Sequence, residues 1–484
     1  MGFLPVVALV GRITLMFALM MVVPLGFALV FDDGAQGAFA AGLGVTLAAG
    51  AGMSVAMRGF RRELQPKDGF VLVGLVWLVL PFFASVPLLL AMPQMSFTDA
   101  FFEATSGFTA TGASVMSGLD ELPISVNVWR CFLQYVGGLG IIVLAVAILP
   151  MLGVGGSQLF KAEITGPMKD AKLTPRIADT ARGLWVAYFA LSLLCLLAYR
   201  AGGMSWPDAF MHMCSTMSMG GLSSHDASFG FWNSPLLEGI AVVFMTLAGV
   251  NFALYFLAWR QRSLARLWRD IEVRAYITVL AAGVLIVAAY LLGTGVYAEP
   301  LSALRYAAFN LVSVATTTGY ATTDYGAWPL FAPFFMAFLG CFCTSAGSTG
   351  GGIKMIRMLL LLKQARRELV RIVHPNVVNP VVIGGRAVPD RVIHSVIAFM
   401  MVYGASLVGM TTVLMFTGID PVTAFTAIIG CMNNIGPGLG EVGPSSNFAS
   451  FNAFQTWVCS FAMVLGRLEL LSVLVLFTPQ FWRK

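Results

Sequence analysis

A chain of 484 residues in which 58% are apolar and 11% charged, with a mean hydropathy of +0.84, cannot cover a water-facing surface, because soluble domains carry about 25% charged residues. This composition excludes the string of soluble domains that length alone would suggest. The formal net charge of +6 at pH 7 calls for no nucleic acid; basic loops beside anionic lipid headgroups account for it.

In chain order, uncharged apolar runs stand at 15–31, 131–152, 184–199, 275–292 and 392–416, the last interrupted only by His394. Each approaches the ~20 residues that span a bilayer as a helix. The first could pass for a secretory signal. It lacks a substantial basic segment and a small-x-small cleavage site ahead of Asp32-Asp33, so it is expected to stay as a first helix. The cysteines (Cys131, Cys195, Cys214, Cys341, Cys343, Cys431 and Cys459) nearly all fall inside apolar runs without CxxC pairing and read as small buried hydrophobes.

Most of the 29 basic residues fall around Arg12, in 58–67, 161–182, 260–274 and 363–391, and at Arg483-Lys484. The loops between carry Asp32, Asp33, Asp120, Glu121, Asp226, Glu299, Asp324 and Glu441 with few bases. The positive-inside rule then puts both termini and the basic loops in the cytoplasm. After an initial helical hairpin at 12–57, each interval between basic loops holds two spanning helices and an apolar segment too short to cross. Such a segment must enter and leave on one side, and non-helical backbone at that depth survives only where protein or water satisfies it. That is the layout of a pore loop. The expected fold is all-α: a polytopic membrane protein with an initial helical hairpin at 1-67 and four pseudo-fourfold repeats of helix, pore half-helix, filter and helix at 68-160, 161-270, 271-370 and 371-484.

The short segments are copies of one another. Asp99-Ala-Phe, Asp208-Ala-Phe, Tyr306-Ala-Ala and Thr423-Ala-Phe each precede a glycine by thirteen positions: Gly112, Gly221, Gly319 and Gly436. Before these glycines stand Thr109-Ala-Thr, Ser218-Met-Gly, Thr316-Thr-Thr and Asn433-Asn-Ile, and successive glycines lie 109, 98 and 117 residues apart. One Thr-x-Thr-Gly is an ordinary loop or helix cap. Four such segments at equal offset, each between spanning helices, mark an internal repeat. The pattern suits a dehydrated cation. Backbone carbonyls around an axis can replace the hydration shell of K⁺, and glycine permits the dihedrals that turn successive carbonyls towards one line. Thirteen helical residues cover ~19 Å, enough to bring the negative end of a helix dipole to mid-membrane. Thr and Ser hydroxyls can coordinate the ion or brace the loop.

These segments, with Gly347-Ser-Thr-Gly-Gly-Gly-Ile-Lys354, His374-Pro-Asn, Asn433-Asn-Ile-Gly-Pro-Gly-Leu-Gly440, Gly466-Arg-Leu-Glu469 and the closing Phe477-Thr-Pro-Gln-Phe-Trp-Arg-Lys484, resemble the TrkH-type transmembrane subunits of bacterial Trk potassium uptake systems. That family lies in the Trk/Ktr/HKT superfamily, and the resemblance covers essentially the whole chain. It implies a K⁺ filter of Gly112, Gly221, Gly319 and Gly436 with the preceding carbonyls of Thr111, Gly220, Thr318 and Ile435. K⁺ would be the transported ion, with no organic cofactor in this chain. Four filter glycines go, in that superfamily, with preference for K⁺ over Na⁺. The motif is shorter than the Thr-Val-Gly-Tyr-Gly of tetrameric potassium channels, so looser discrimination against Na⁺ is expected. The resemblance further implies a bacterial inner-membrane location, a homodimer, and a cytosolic TrkA-type nucleotide-binding ring docking on the basic loops, first of all on 363–391.

Residues Gly347, Ser348, Thr349, Gly350, Gly351 and Gly352 should interrupt the helix after the third filter, since each glycine costs ~1 kcal/mol in a helix interior. A close-packing site is one reading; a gate swinging across the ion path is the one the resemblance implies. The string lacks the spacing of a phosphate-binding loop. Arg467 lies near the centre of the last apolar run, where a cation costs ~2.5–3.5 kcal/mol. Glu469, two positions on, faces elsewhere, so a partner is sought among the carbonyls of the loop or in Glu469 through water. A barrier charge below the filter and a structural ion pair both fit Arg467. For Lys354, nearer the surface, gating and snorkelling both fit.

His212, in the second half-helix, and His394, opening a span, are expected to be packed. The alternative of K⁺ symport coupled to H⁺ or Na⁺ would need a titrating group in the pathway. Asp99 and Asp208 read as N-caps, and Glu103, the one carboxylate inside a half-helix, as a brace for its loop. Neither paired aspartates, Ser-His nor His-x-x-x-His stands within the spans, so no enzyme is expected.

Overall fold

In lipid every backbone polar group must be paired within its own segment or its neighbours, so apolar runs of this length fold as helices. The computed structural model describes residues 4–56, 65–148, 177–263 and 265–483; the basic segments read at 58–67 and 161–182 lie largely outside them. Helix α1 (Leu4–Met20) runs into α2 (Val22–Phe31), and α3 (Gln36–Ala56) returns beside them as the expected hairpin. Gly50 lets α1 and α3 approach: a Cβ there would come 2.9 Å from the Leu15 side chain.

The first repeat is α4 (Pro66–Ala91), half-helix α5 (Phe97–Phe108) and α6 (Ile124–Ile148). The second is α7 (Ile177–Ala201), half-helix α8 (Trp206–Ser218), then α9 (Pro235–Ala248) and α10 (Phe252–Arg260). The third is α11 (Ile271–Gly293), half-helix α12 (Pro300–Ala315), α13 (Phe331–Gly340) and α14 (Met355–Val373). The fourth is α15 (Asp390–Phe416), half-helix α16 (Pro421–Met432) and α17 (Ala453–Arg467). Among the described residues six helices are long and apolar enough to cross a membrane, and eight if two bent pairs count as single spans. In α3 and α15 only 22% of the apolar window is buried, against 61% in α4. The first two therefore stand on the periphery and α4 stands inside.

Two expectations are corrected. Ser96 and Ser205, not Asp99 and Asp208, cap α5 and α8: each serine Oγ accepts the N–H of the aspartate three residues on and donates to its carboxylate, at 2.7 and 2.6 Å. The aspartates occupy the third helical position, where an acid favours the helix dipole. In α16 an aspartate, Asp420, is the cap. The second correction concerns continuity. A break was expected only in the third repeat, yet α9 and α10 meet at 86° and α17 meets Leu471–Phe477 at 107°. Each bent pair passes as one apolar span by mean hydropathy, despite Asn251 at the first bend and Arg467 and Glu469 at the second, so hydropathy does not reveal them. A small antiparallel hairpin between repeats 3 and 4, pairing Val382 with Ala387 and Ile383 with Arg386 around Gly384-Gly385, is a minor exception to an all-α fold.

Candidate functional site

Each half-helix ends in the same backbone figure. The residue two before the glycine is left-handed (Ala110 at φ 53°, Met219 at 55°, Thr317 at 61°, Asn434 at 54°), and the glycines follow at 85°, 72°, 92° and 97°. The N–H of the residue between them, Thr111, Gly220, Thr318 or Ile435, bonds to the carbonyl five residues back at 2.8–2.9 Å. Left-handed backbone costs an L-residue roughly 1–2 kcal/mol. Four dissimilar sequences sharing it show that the surrounding fold imposes the turn.

The glycines close a ring. A Cβ on Gly112 would overlap the carbonyl oxygen of Gly220, one on Gly221 that of Thr318, and one on Gly319 that of Ile435. One on Gly436 would come 2.8 Å from that of Thr111. Each repeat thus abuts the next, and the fourth returns to the first. All eight residues singled out from sequence, Thr111, Gly112, Gly220, Gly221, Thr318, Gly319, Ile435 and Gly436, stand together here.

Side chains behind the ring hold it. Thr109 and Thr111 hydroxyls are 2.6 Å apart, those of Thr316 and Thr318 are 2.9 Å apart, and Asn434 Nδ2 donates to Thr111 Oγ1 at 2.8 Å. In the second repeat the support is Gln134 of α6, fully buried, whose Nε2 donates to the Gly220 carbonyl at 2.6 Å while its Oε1 accepts the Leu222 N–H at 3.2 Å. Sequence reasoning passed over Gln134; its signal was an amide inside an otherwise apolar span. Glu103 braces its loop as expected. It accepts from Arg130 Nε at 2.7 Å, from Ser114 Oγ at 3.1 Å and from the Val115 N–H at 3.1 Å. Both charges are buried, a state that needs this completeness of hydrogen bonding.

Below the ring, 347–352 interrupts α13 and α14 as predicted and touches the half-helices from beneath. Thr349 Oγ1 donates to the Met217 carbonyl at 3.0 Å, and the Gly351 N–H donates to Thr317 Oγ1 at 3.1 Å. A Cβ on Gly351 would overlap the Asn433 carbonyl. The loop is also tied to the bend in the second repeat: the Phe252 N–H donates to the Gly347 carbonyl at 3.1 Å and the Ser345 N–H to the Gly249 carbonyl at 3.1 Å. Glu272, near the start of α11, accepts the N–H of Ala346 at 2.8 Å and of Ile356 at 3.1 Å through one oxygen, so it clips both flanks of the loop. That residue, too, was not singled out from sequence.

Arg467 finds its partners among carbonyls, as sought: Thr349 of the loop at 2.7 Å, and Gly137 and Gly138 of α6 at 3.0 and 2.8 Å. Glu469 instead meets Arg357 at 2.9 Å. Lys354 does not snorkel. It is 3% exposed and its ammonium bonds to the Gly350 carbonyl. A cavity of ≈ 80 Å³ beside the loop is lined in part by Ser348, Gly351, Gly352, Lys354, Arg467 and Glu469.

On the other side of the ring a cavity of ≈ 300 Å³ has Gly112, Gly221 and Gly319 among its lining residues, with Ser223, His225 and Asp226. His225 stacks on Phe231 at 3.6 Å, pairs through Nδ1 with Asp120, and lies 3.4 Å through Nε2 from Asp208. Partial burial lowers its proton affinity, but the hydrogen bonds and charges of Asp208 and Asp120 outweigh this and hold it above the ordinary imidazole value. His212 is packed as expected, between the Asp208 carbonyl at 2.8 Å and Ser223 Oγ at 3.0 Å. His394 departs from expectation: it is exposed in the first turns of α15.

A family model described as "TrkH: Cation transport protein" matches residues 35–484. The chain is 44% identical over 483 residues to the Trk system potassium uptake protein TrkH of Halomonas elongata, covering 99% of each. It is 43% identical over 488 residues to the Trk system potassium uptake protein TrkH of Escherichia coli (strain K12), covering 100% of each. Its fold matches the crystal structure of the potassium transporter TrkH from Vibrio parahaemolyticus with a TM-score of 0.90, at 41% identity and with 100% of both chains covered. With the repeated half-helices, the ring and the intramembrane loop described above, these likenesses identify a transporter rather than an enzyme, and the chain belongs to the TrkH family of cation transport proteins.

Proposed function

We propose that this protein takes up K⁺ across the bacterial inner membrane through the ring of Gly112, Gly221, Gly319 and Gly436, with 347–352, Lys354 and Arg467 forming the gate. The observation that carries the reading is the cyclic apposition of four glycine turns, each pressed on the carbonyl of the next repeat. Such a ring leaves backbone oxygens, not side chains, to replace a cation's water, and each half-helix directs its negative end towards it. The relatives named above, which are potassium uptake proteins, favour K⁺ as the cargo. Beneath the ring, a half-buried arginine and a buried lysine oppose a cation wherever the loop stays in place.

The pore units would divide at 68-160, 161-270, 271-370 and 371-484, after a hairpin unit at 1-67, with both termini cytoplasmic. A second copy of this subunit and a cytosolic TrkA-type nucleotide-binding ring would be the partners, in keeping with relatives named as parts of a Trk system.

The test is tracer rubidium uptake into liposomes holding the purified protein, driven by an outward K⁺ gradient. Uptake that external K⁺ competes for and Na⁺ hardly affects, with discrimination lost in Gly319→Ser, would support the reading. Absence of cation flux in folded protein lacking 347–352 would overturn it.

A further inference from the structure

Three filter segments carry a side chain at the position before the glycine: Thr111, Thr318 and Ile435. The second carries Gly220. The space that a side chain would take there is not empty. A Cβ on Gly220 would overlap the amide group of Gln134, which arrives from α6 of the preceding repeat. Gln134 is fully buried and makes one bond to each side of the turn, donating to the Gly220 carbonyl at 2.6 Å and accepting from the Leu222 N–H at 3.2 Å. Its Nε2 also lies 3.7 Å from where a Cβ of Gly112 would stand, so it sits at the junction of the first and second repeats.

The third and fourth repeats meet with the sizes reversed. There Gly340 of α13 leaves the room, and the Ile435 side chain, with its Cδ1 2.7 Å from a Cβ placed on Gly340, fills it. One junction pairs a filter glycine with a long side chain on the helix. The other pairs a filter side chain with a helix glycine. Among the described residues, Gln134 is the side chain that donates a hydrogen bond to a ring carbonyl. A carbonyl oxygen has two lone pairs, so this bond fixes the Gly220 oxygen while leaving it capable of a second contact. A fixed oxygen resists closing on a smaller ion, which is one way a ring of carbonyls prefers K⁺ to Na⁺.

We propose that Gln134 is a positioning residue of the ion filter: it stands in for the side chain absent at Gly220 and, by holding the Gly220 carbonyl and the Leu222 N–H, sets the discrimination between K⁺ and Na⁺. The inference rests on the filter reading of the ring. Gln134→Ala removes both bonds and the side-chain volume; Gln134→Leu removes both bonds and keeps most of the volume. Both are expected to lower the K⁺ over Na⁺ selectivity about tenfold while the protein remains folded and conducting, a change of ~1.4 kcal/mol. Gly220→Ser alone would drive the Gln134 amide out and lower selectivity as well. Gly220→Ser combined with Gln134→Ala restores a side chain to the vacated space, and its selectivity should exceed that of either single variant.

The measurement is the ratio of K⁺ to Na⁺ inhibition of rubidium uptake into liposomes for wild type, these variants and Gly319→Ser. Lowered ratios in the Gln134 variants with recovery in the double variant establish the role. An altered ratio in Gly319→Ser with wild-type ratios in both Gln134 variants overturns this proposal alone, leaving Gln134 a packing residue. Wild-type ratios in all of them overturn the filter reading and this inference with it.

Discussion

At Gly112, Gly221 and Gly319 a carbonyl from the neighbouring repeat already occupies the place of a side chain, and at Gly436 one stands 2.8 Å away. The backbone there is left-handed besides. Gly221→Ala therefore meets both an overlap with the Thr318 carbonyl and a strain of roughly 1–2 kcal/mol. We expect folded protein whose K⁺ flux falls at least about tenfold, measured as tracer uptake beside a size-exclusion profile; undiminished flux would contradict the ring. Arg467 works in the opposite sense. It donates to three carbonyls, one on the loop and two on α6, and hydrogen bonds to a charged group are worth about 1.5–3 kcal/mol each. Arg467→Ala should release the loop and raise flux about tenfold, with Arg467→Lys in between because an ammonium lacks the planar fork. Flux at or below wild type in Arg467→Ala would mean that the charge is not a barrier. Both residues were legible in sequence, the glycines through their spacing and Arg467 through its cost in an apolar run. Gln134 was marked only as an amide in an apolar span, and Glu272, an acid near a helix start, not at all; their roles show only once their backbone partners are seen.

The half-helices could be read directly from the thirteen-residue offset, since an Ala-Phe step, or Ala-Ala in the third, stands at a fixed distance before each glycine. The caps of the first two, read at Asp99 and Asp208, stand three positions earlier, a distinction that lies in which oxygen receives the free N–H groups rather than in residue type. The bends at 249–251 and 468–470 escaped because hydropathy measures side chains and these breaks are made by backbone: Asn251 caps α10, and Glu469 and Leu470 take positive φ. The loop at 347–352 is held at its flanks by Glu272. Glu272→Ala leaves the buried N–H of Ile356 and the half-buried N–H of Ala346 without that acceptor and should destabilise the loop by about 1–3 kcal/mol. The expected outcome is higher uptake in liposomes at an unchanged K⁺ over Na⁺ ratio, because the clip touches the loop and not the ring. A changed ratio at constant flux would contradict that division of labour. On the vestibule side, His225 joins the loops of the first two repeats through Asp120 and Asp208. Its proton affinity is raised in the folded state, so its contribution is full below the unfolded value of about 6.5 and fades as pH rises through the higher folded value. The stability gap between wild type and His225→Gln, read as thermal melting in detergent, should therefore narrow with rising pH. A gap that widens instead would refute the pairing.

For the whole molecule, the ring closes only if four stretches of chain, some hundred residues apart, meet in cyclic order, and this the sequence could suggest but not display. Repetition established how many units there are. The order of contact, first to second to third to fourth and back to first, required the carbonyl positions. Closure also makes each segment depend on both neighbours, so that a distortion in one repeat reaches the whole ring. The measurement that tests this most directly is the reversal potential of protein lacking 347–352, with K⁺ on one side of the bilayer and Na⁺ on the other, for the intact ring and for serine at each of the four glycines in turn. The account predicts a K⁺-selective parent and a loss of selectivity of about tenfold or more whichever glycine is changed. Selectivity untouched by all four substitutions would contradict it.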